Sequence, residues 1–163
     1  AVAAAWIFWG VVLIVFAKVY VKKNSEEFGK DLDTMLPKEA MLIGLAQSLA
    51  MWPGTSRSLV TILAALLLGF RLSAALEFSF LLGLITLGAA TVYKAKDFGP
   101  ELFGTAGLSA SVLGIITAGL FAALSIKWMV TYLERHSLAI FGYWRIAMAL
   151  LTAGLILNGT IAQ

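Results

Sequence analysis

Two apolar runs of twelve residues, Met41–Trp52 and Leu59–Phe70, are separated by the polar segment Pro53-Gly54-Thr55-Ser56-Arg57-Ser58. A helix rises ~1.5 Å per residue, so each run reaches only ~18 Å, while the hydrocarbon core of a bilayer is ~30 Å thick. Neither run can cross a membrane alone. The pattern predicts two short helices meeting at a polar elbow held at membrane depth. Irregular backbone survives there only if protein surrounds it or it lines a wet cavity. An arginine, a threonine and two serines at that depth need a partner, and their chemistry points to an anion.

Composition sets the membrane context. Hydrophobic residues make up 61% of the 163-residue chain, charged residues 13%, and the mean hydropathy is +0.93, whereas soluble domains carry roughly 25% charged residues. The absence of cysteine removes disulfides, thiolate metal sites and cysteine nucleophiles, and the single histidine, His136, removes a multi-histidine zinc site. A net charge of +3 is too small to suggest nucleic acid, and the basic residues sit at segment ends as membrane anchors do.

The expected fold class is an all-α integral membrane protein, a polytopic helical bundle with one re-entrant, broken helical hairpin at about 38–70. All 163 residues form a single membrane domain in this reading. Spans are expected at Val2–Val21, Ser73–Tyr93, Ser109–Thr131 and Leu138–Asn158, with a polar stretch at Asn24–Pro37 and a loop at Lys94–Gly107 marked by Asp97, Gly99, Pro100 and Gly104. Small residues every four positions (Ala110, Gly114, Ala118 and Ala122, with Ser111, Ile115, Gly119 and Ala123 alongside) predict helix seams on the third span, and Ala75, Ser79 and Gly83 predict another on the second. A re-entrant hairpin places Lys22, Lys23, Lys30, Lys38, Arg71 and Arg135 on one side and Lys94 and Lys96 on the other. The bias of basic residues then puts the first side in the cytoplasm and the C-terminus outside.

Several anion-binding devices converge on the elbow. Gly54 lets backbone amides approach a ligand closely. Thr55, Ser56 and Ser58 supply hydroxyls that also cap the following helix, whose positive end faces the elbow. Arg57 adds a planar fork that matches two phosphate oxygens. Sulfate, carboxylate, phosphate and diphosphate all fit this set, and a purely structural helix break is the plainer alternative. Gln47, two turns earlier, either joins the hairpin arms or supports the site. Arg145 is expected to pair or snorkel, Glu77 to complement a helix N-terminus, and His136 to sit in a short connection away from the elbow.

The run Gly44-Leu45-Ala46-Gln47-Ser48-Leu49-Ala50-Met51-Trp52-Pro53-Gly54-Thr55-Ser56-Arg57-Ser58, followed by Thr61-Ile62, resembles the second signature of the undecaprenyl-diphosphate phosphatase family, also called bacitracin-resistance proteins. Phe78-Ser79-Phe80-Leu81-Leu82, Arg135-His136-Ser137-Leu138, Phe141 to Tyr143 and Arg145 match in order, so the resemblance runs from about 38 to 158. It implies one half of an inverted-repeat fold in a bacterial plasma membrane, with two re-entrant tips meeting at the active site. The implied reaction hydrolyses a polyprenyl diphosphate to the lipid monophosphate and phosphate during cell-wall assembly. Arg57 and Ser56 become the implied catalytic residues, the first holding the diphosphate and the second acting as nucleophile or hydroxyl donor. Gly54, Thr55, Ser58 and Gln47 become substrate-binding.

The resemblance also implies a divalent cation, Mg²⁺ or Ca²⁺, and leaves a homodimer open. Nothing before Ala40 matches the family's glutamate-pair signature, and Glu26 and Glu27 have no serine elbow behind them. The cation's ligands and the general base are therefore expected outside this chain, which reads as the C-terminal repeat of a longer protein. Leu59 and Thr86 stand where the family commonly has glycine and proline. A transporter or lipid-translocating protein is the competing function, because broken helices aimed at a midplane anion serve transport as well.

Overall fold

The computed structural model describes residues 2–19, 29–105, 108–135 and 137–157. Among them it contains six α-helices and no strand: α1 Val2–Val19, α2 Pro37–Ala46, α3 Arg57–Leu67, α4 Leu72–Thr105, α5 Leu108–Arg135 and α6 Ala139–Leu157. Three helices contain stretches long and apolar enough to cross a membrane, at Leu72–Lys96, Ser109–Leu133 and Ala139–Ile156, while the apolar part of α1 is the shorter Val2–Lys18. This is a polytopic all-α membrane protein. It divides into two compact units, Ala1–Ser79 with His136–Gln163, and Phe80–Arg135.

The broken hairpin belongs to the first unit. α2 has 10 residues and α3 has 11, so each is ~15–17 Å long. The first arm tightens before it ends: the α-helix stops at Ala46 and Gln47–Met51 continue as a 3-10 stretch. The arms pack on each other, and the chain closes the open end of the hairpin with backbone bonds. Lys30 N–H donates to the Gly69 carbonyl at 2.9 Å and Arg71 N–H to the Lys30 carbonyl at 3.1 Å.

Side chains at this mouth neutralise one another. Lys30 Nζ donates to Glu39 Oε1 at 2.7 Å, Arg71 pairs with Asp31, and Lys30 lies 5.5 Å from the Phe70 ring centroid. Glu39 Oε2 also accepts from the Leu36 amide at 2.9 Å, tying down the first turn of α2 where a carboxylate complements the helix dipole. The bond from Lys30, and then the one from Leu36, hold the Glu39 carboxyl below the ordinary carboxylate range.

α1 and α6 form the close helix pair of this unit. Gly10 and Gly142 make the approach possible. A Cβ on Gly142 would lie 2.7 Å from the Gly10 carbonyl oxygen, and one on Gly10 would lie 2.7 Å from Ile146 Cγ1. Leu13, Ala17 and Ala149 are buried along the helices. Small residues thus let two backbones nearly touch, at positions the small-residue spacing of the sequence did not single out. The seam expected on α4 is present in part, with Ala75 and Ser79 buried. On α5 the expected seam is not packed among the described residues: a methyl group at Gly114 or Gly119 would meet nothing.

The second unit carries one correction. The expected loop at Lys94–Gly107 is helical through Thr105, Gly99 and Pro100 included. Proline removes one backbone donor from a helix, yet the chain continues helical through Pro100 to Thr105.

Candidate anion site at the hairpin tip

The tip is a tight turn followed at once by a helix start. Thr55 N–H donates to the Trp52 carbonyl at 3.0 Å. Pro53 occupies the second position of this turn and Gly54, at φ +90°, the third, the arrangement of a type II turn. Gly54 is required twice over. Its φ is one that side chains rarely adopt, and a Cβ there would come within 3.0 Å of the Val2 carbonyl oxygen and 3.1 Å of Ala5 Cβ on α1.

Ser56 is the N-cap of α3, with extended backbone and its Oγ accepting from the Leu59 amide at 3.4 Å. An accepting hydroxyl keeps its own proton for another partner. Arg57 and Ser58 occupy the first turn, both half-buried. Backbone amides of a first helical turn point out of the helix with the positive end of its dipole. The five positions Gly54–Ser58 therefore lie together at the head of α3, as the sequence expects. Gln47 is half-buried one 3-10 stretch earlier, at the junction with α2.

A second layer supports the head of α3. Thr61 is 2% exposed and its Oγ1 lies 2.7 Å from the Oγ of Ser79, itself 4% exposed. Thr61 Oγ1 also lies within donating distance of the Arg57 carbonyl (3.2 Å) and the Ser58 carbonyl (3.1 Å). With Ser79 donating to Thr61, and Thr61 donating to the helix, both buried hydroxyls are satisfied.

Two long-range hydrogen bonds fix the turn from outside. Trp9 Nε1 on α1 donates to Thr55 Oγ1 at 2.9 Å, with the indole held edge-on by Phe8 at 5.4 Å between ring centroids. Arg145 Nη2 on α6 donates to the Gly54 carbonyl at 2.7 Å. The partner that Arg145 finds is thus the elbow itself. No local signal in the sequence indicated this; the one hint is an arginine two turns into an apolar helix. A cavity of about 440 Å³ adjoins the turn, lined by Ala4, Ala5, Phe8 and Trp9 of α1 with Leu49, Trp52 and Thr55.

Other residues do not join the tip. Glu77 is exposed on α4. Glu26, Glu27 and His136 lie outside the described residues. Among the described residues no three histidine or acidic side chains come together, and the tip offers hydroxyls, amides and guanidinium groups. That donor set suits an anion and does not fit a divalent cation.

The family model described as bacitracin resistance protein BacA matches residues 1–151. Undecaprenyl-diphosphatase of Aquifex aeolicus (strain VF5) is 36% identical over 148 residues, 91% of this chain and 57% of that protein. Undecaprenyl-diphosphatase 1 of Chromobacterium violaceum is 37% identical over 168 residues, 98% of this chain and 57% of that protein. Undecaprenyl-diphosphatase of Pseudomonas paraeruginosa (strain DSM 24068 / PA7) is 42% identical over 120 residues, 74% of this chain and 43% of that protein. The chain spans about half the length of these curated relatives.

Proposed function

This chain belongs to the bacitracin resistance protein BacA family, and we propose that its hairpin tip holds the diphosphate group of undecaprenyl diphosphate during hydrolysis to undecaprenyl phosphate and inorganic phosphate. The observation that carries the proposal is the head of α3, where the Ser56 cap, Arg57 and Ser58 share one helical turn behind a type II turn. Water attacks the terminal phosphorus, the bond to the bridging oxygen breaks, and the lipid phosphate leaves with the electron pair. Such a transfer needs chiefly positioning and charge neutralisation. Arg57 supplies a bidentate positive group for the oxygens that gain charge. Ser56 donates its hydroxyl to the phosphate, or acts as a nucleophile that takes the terminal phosphoryl group and passes it to water, and amides of the first turn of α3 receive the remaining oxygens.

The apolar cavity of about 440 Å³ beside Thr55 supports a substrate whose anionic head continues into a hydrocarbon chain. The shortness of α2 and α3 supports a re-entrant hairpin with its mouth at one membrane face. The carboxylates that activate water, and those that hold any divalent cation, are proposed to come from a part of the protein beyond this tip. Relatives about twice as long leave room for them.

The test is release of inorganic phosphate from undecaprenyl diphosphate by the full-length protein carrying this chain, purified from membranes. Release that yields the lipid monophosphate is expected. Cysteines at Lys38 and Arg71 are expected to react with an impermeant reagent from the same membrane face. Folded protein that binds the lipid without releasing phosphate would transfer the tip to the translocating class. Labelling from opposite faces would make the hairpin a full crossing.

A further inference from the structure

We propose that Arg145 is a positioning residue that locks the peptide plane between Gly54 and Thr55, and so aims the donors of the tip; the assignment to catalysis rests on the proposed function above. A trans peptide directs its carbonyl and its N–H to opposite sides of one plane. Here both ends of the same plane are held. Arg145 Nη2 lies 2.7 Å from the Gly54 carbonyl oxygen, and Thr55 N–H lies 3.0 Å from the Trp52 carbonyl oxygen. The turn's own bond holds only the N–H end of this plane, and glycine, which accepts either sign of φ at little cost, puts no steric lock on the carbonyl end. Rotation would swing Thr55, and with it the Ser56 cap and the amides behind it. A donor from 91 residues away in sequence removes that freedom.

Four further observations set this contact apart from a surface arginine that happens to meet a carbonyl. Arg145 stands in an apolar helix where an aliphatic residue would pack at no electrostatic cost. Its Nε is buried with no hydrogen-bond partner, so the side chain keeps its reach to Gly54 while one donor goes unsatisfied. Its direction is also fixed from below: the Gly10–Gly142 approach admits no Cβ on either helix and sets the rotation of α6 one turn before Arg145. A cavity of about 270 Å³ beside the guanidinium, lined by Trp6, Trp144 and Met148, leaves an arginine side chain room that a well-packed seam would not.

The carbonyl is neutral, so this contact does not cancel the charge of Arg145. Positioning nevertheless requires a donor of sufficient length rather than charge neutralisation of the substrate, and the two roles separate by experiment. In the full-length protein, Arg145→Met removes the donor while keeping an apolar chain, and Arg145→Lys keeps one donor. Misplacing reacting groups by about 1 Å costs on the order of 10²-fold in rate. Arg145→Met is therefore expected to lower kcat about 100-fold with KM little changed, and Arg145→Lys to recover much of that loss. A cysteine at Ser58 should react about tenfold faster in Arg145→Met, because local opening of the tip exposes it, while a cysteine at Lys38 in the mouth should not change.

Near-parental kcat together with unchanged Ser58→Cys reactivity would overturn the assignment. A raised KM at constant kcat would also overturn it, identifying direct contact with substrate. Faster labelling at both sites means general loosening, and Arg145→Lys then decides: a protected tip supports the assignment and an open one overturns it. If the parent protein releases no phosphate, the proposed function fails while the labelling comparison still judges Arg145.

Discussion

The two ends of the α2–α3 hairpin treat charge in opposite ways. At the mouth, cations meet carboxylates: Lys30 pairs with Glu39 and Arg71 with Asp31. At the tip, the long-range donors meet neutral acceptors, the Gly54 carbonyl and the Thr55 hydroxyl. The mouth closes its electrostatics within the hairpin and serves to join two arms. The tip gathers a guanidinium, hydroxyls and helix-start amides, the kind of donors the proposed phosphate site would use. A pair of helix ends thus serves as a staple at the mouth, where acidic side chains are supplied, while the tip presents the donors proposed above to hold an anion.

Arg57 gives the largest expected contrast. In the full-length protein Arg57→Ala should lower turnover by ~10³–10⁵, the range for arginines that neutralise a transferring phosphoryl group. Arg57→Lys should fall between, since it keeps charge but loses the planar fork. Phosphate release measured at matched amounts of folded protein checks this. Near-normal turnover in Arg57→Ala would make the tip a structural break like the mouth.

The layer beneath the tip should respond in stability. Thr61→Val leaves the buried Ser79 hydroxyl without its 2.7 Å partner, a loss of about 1–3 kcal/mol. Adding Ser79→Ala should restore much of it, because neither hydroxyl then remains orphaned. Denaturation of the purified protein in detergent measures both. Additive losses in the double variant would show that the two hydroxyls do not act as a pair.

The smallest effect belongs to the mouth. Glu39 is held below the ordinary carboxylate range by Lys30 and the Leu36 amide, so the stabilisation it brings is present above that range and lost as pH falls through the lowered value. Glu39→Gln should be slightly less stable than the parent at neutral pH, with the difference shrinking in acid. The screened, partly exposed position of the pair keeps the effect small and salt-sensitive. A difference that grows in acid would assign Glu39 a different role.

Most of the tip was legible in the sequence because its determinants are neighbours. Proline followed by glycine specifies the turn, and serine three residues ahead of an apolar amide specifies the cap. The lengths of the two apolar runs specify two helices, each too short to cross a bilayer alone. The small-residue spacing on α5 permits close packing without naming a partner, and Gly99-Pro100 misled because a proline can be absorbed by an otherwise bonded helix. Trp9 and Arg145 were out of reach for another reason. The sequence marks Arg145 as a charge in an apolar helix without naming its partner, Trp9 carries no such mark, and the meaning of both depends on how α1 and α6 pack.

The sequence by itself determined a helical membrane protein, the position of the break, and the donor chemistry gathered at Gly54–Ser58, because turn types, caps and helix length depend on residues within a few positions of one another. The tertiary structure alone decided what holds that turn in place. The approach of α1 to α6 at Gly10 and Gly142 rotates α6 so that Arg145 meets the Gly54 carbonyl, and it brings Trp9 to Thr55. Contacts between residues 46 and 91 positions apart follow from packing geometry, which no local pattern encodes.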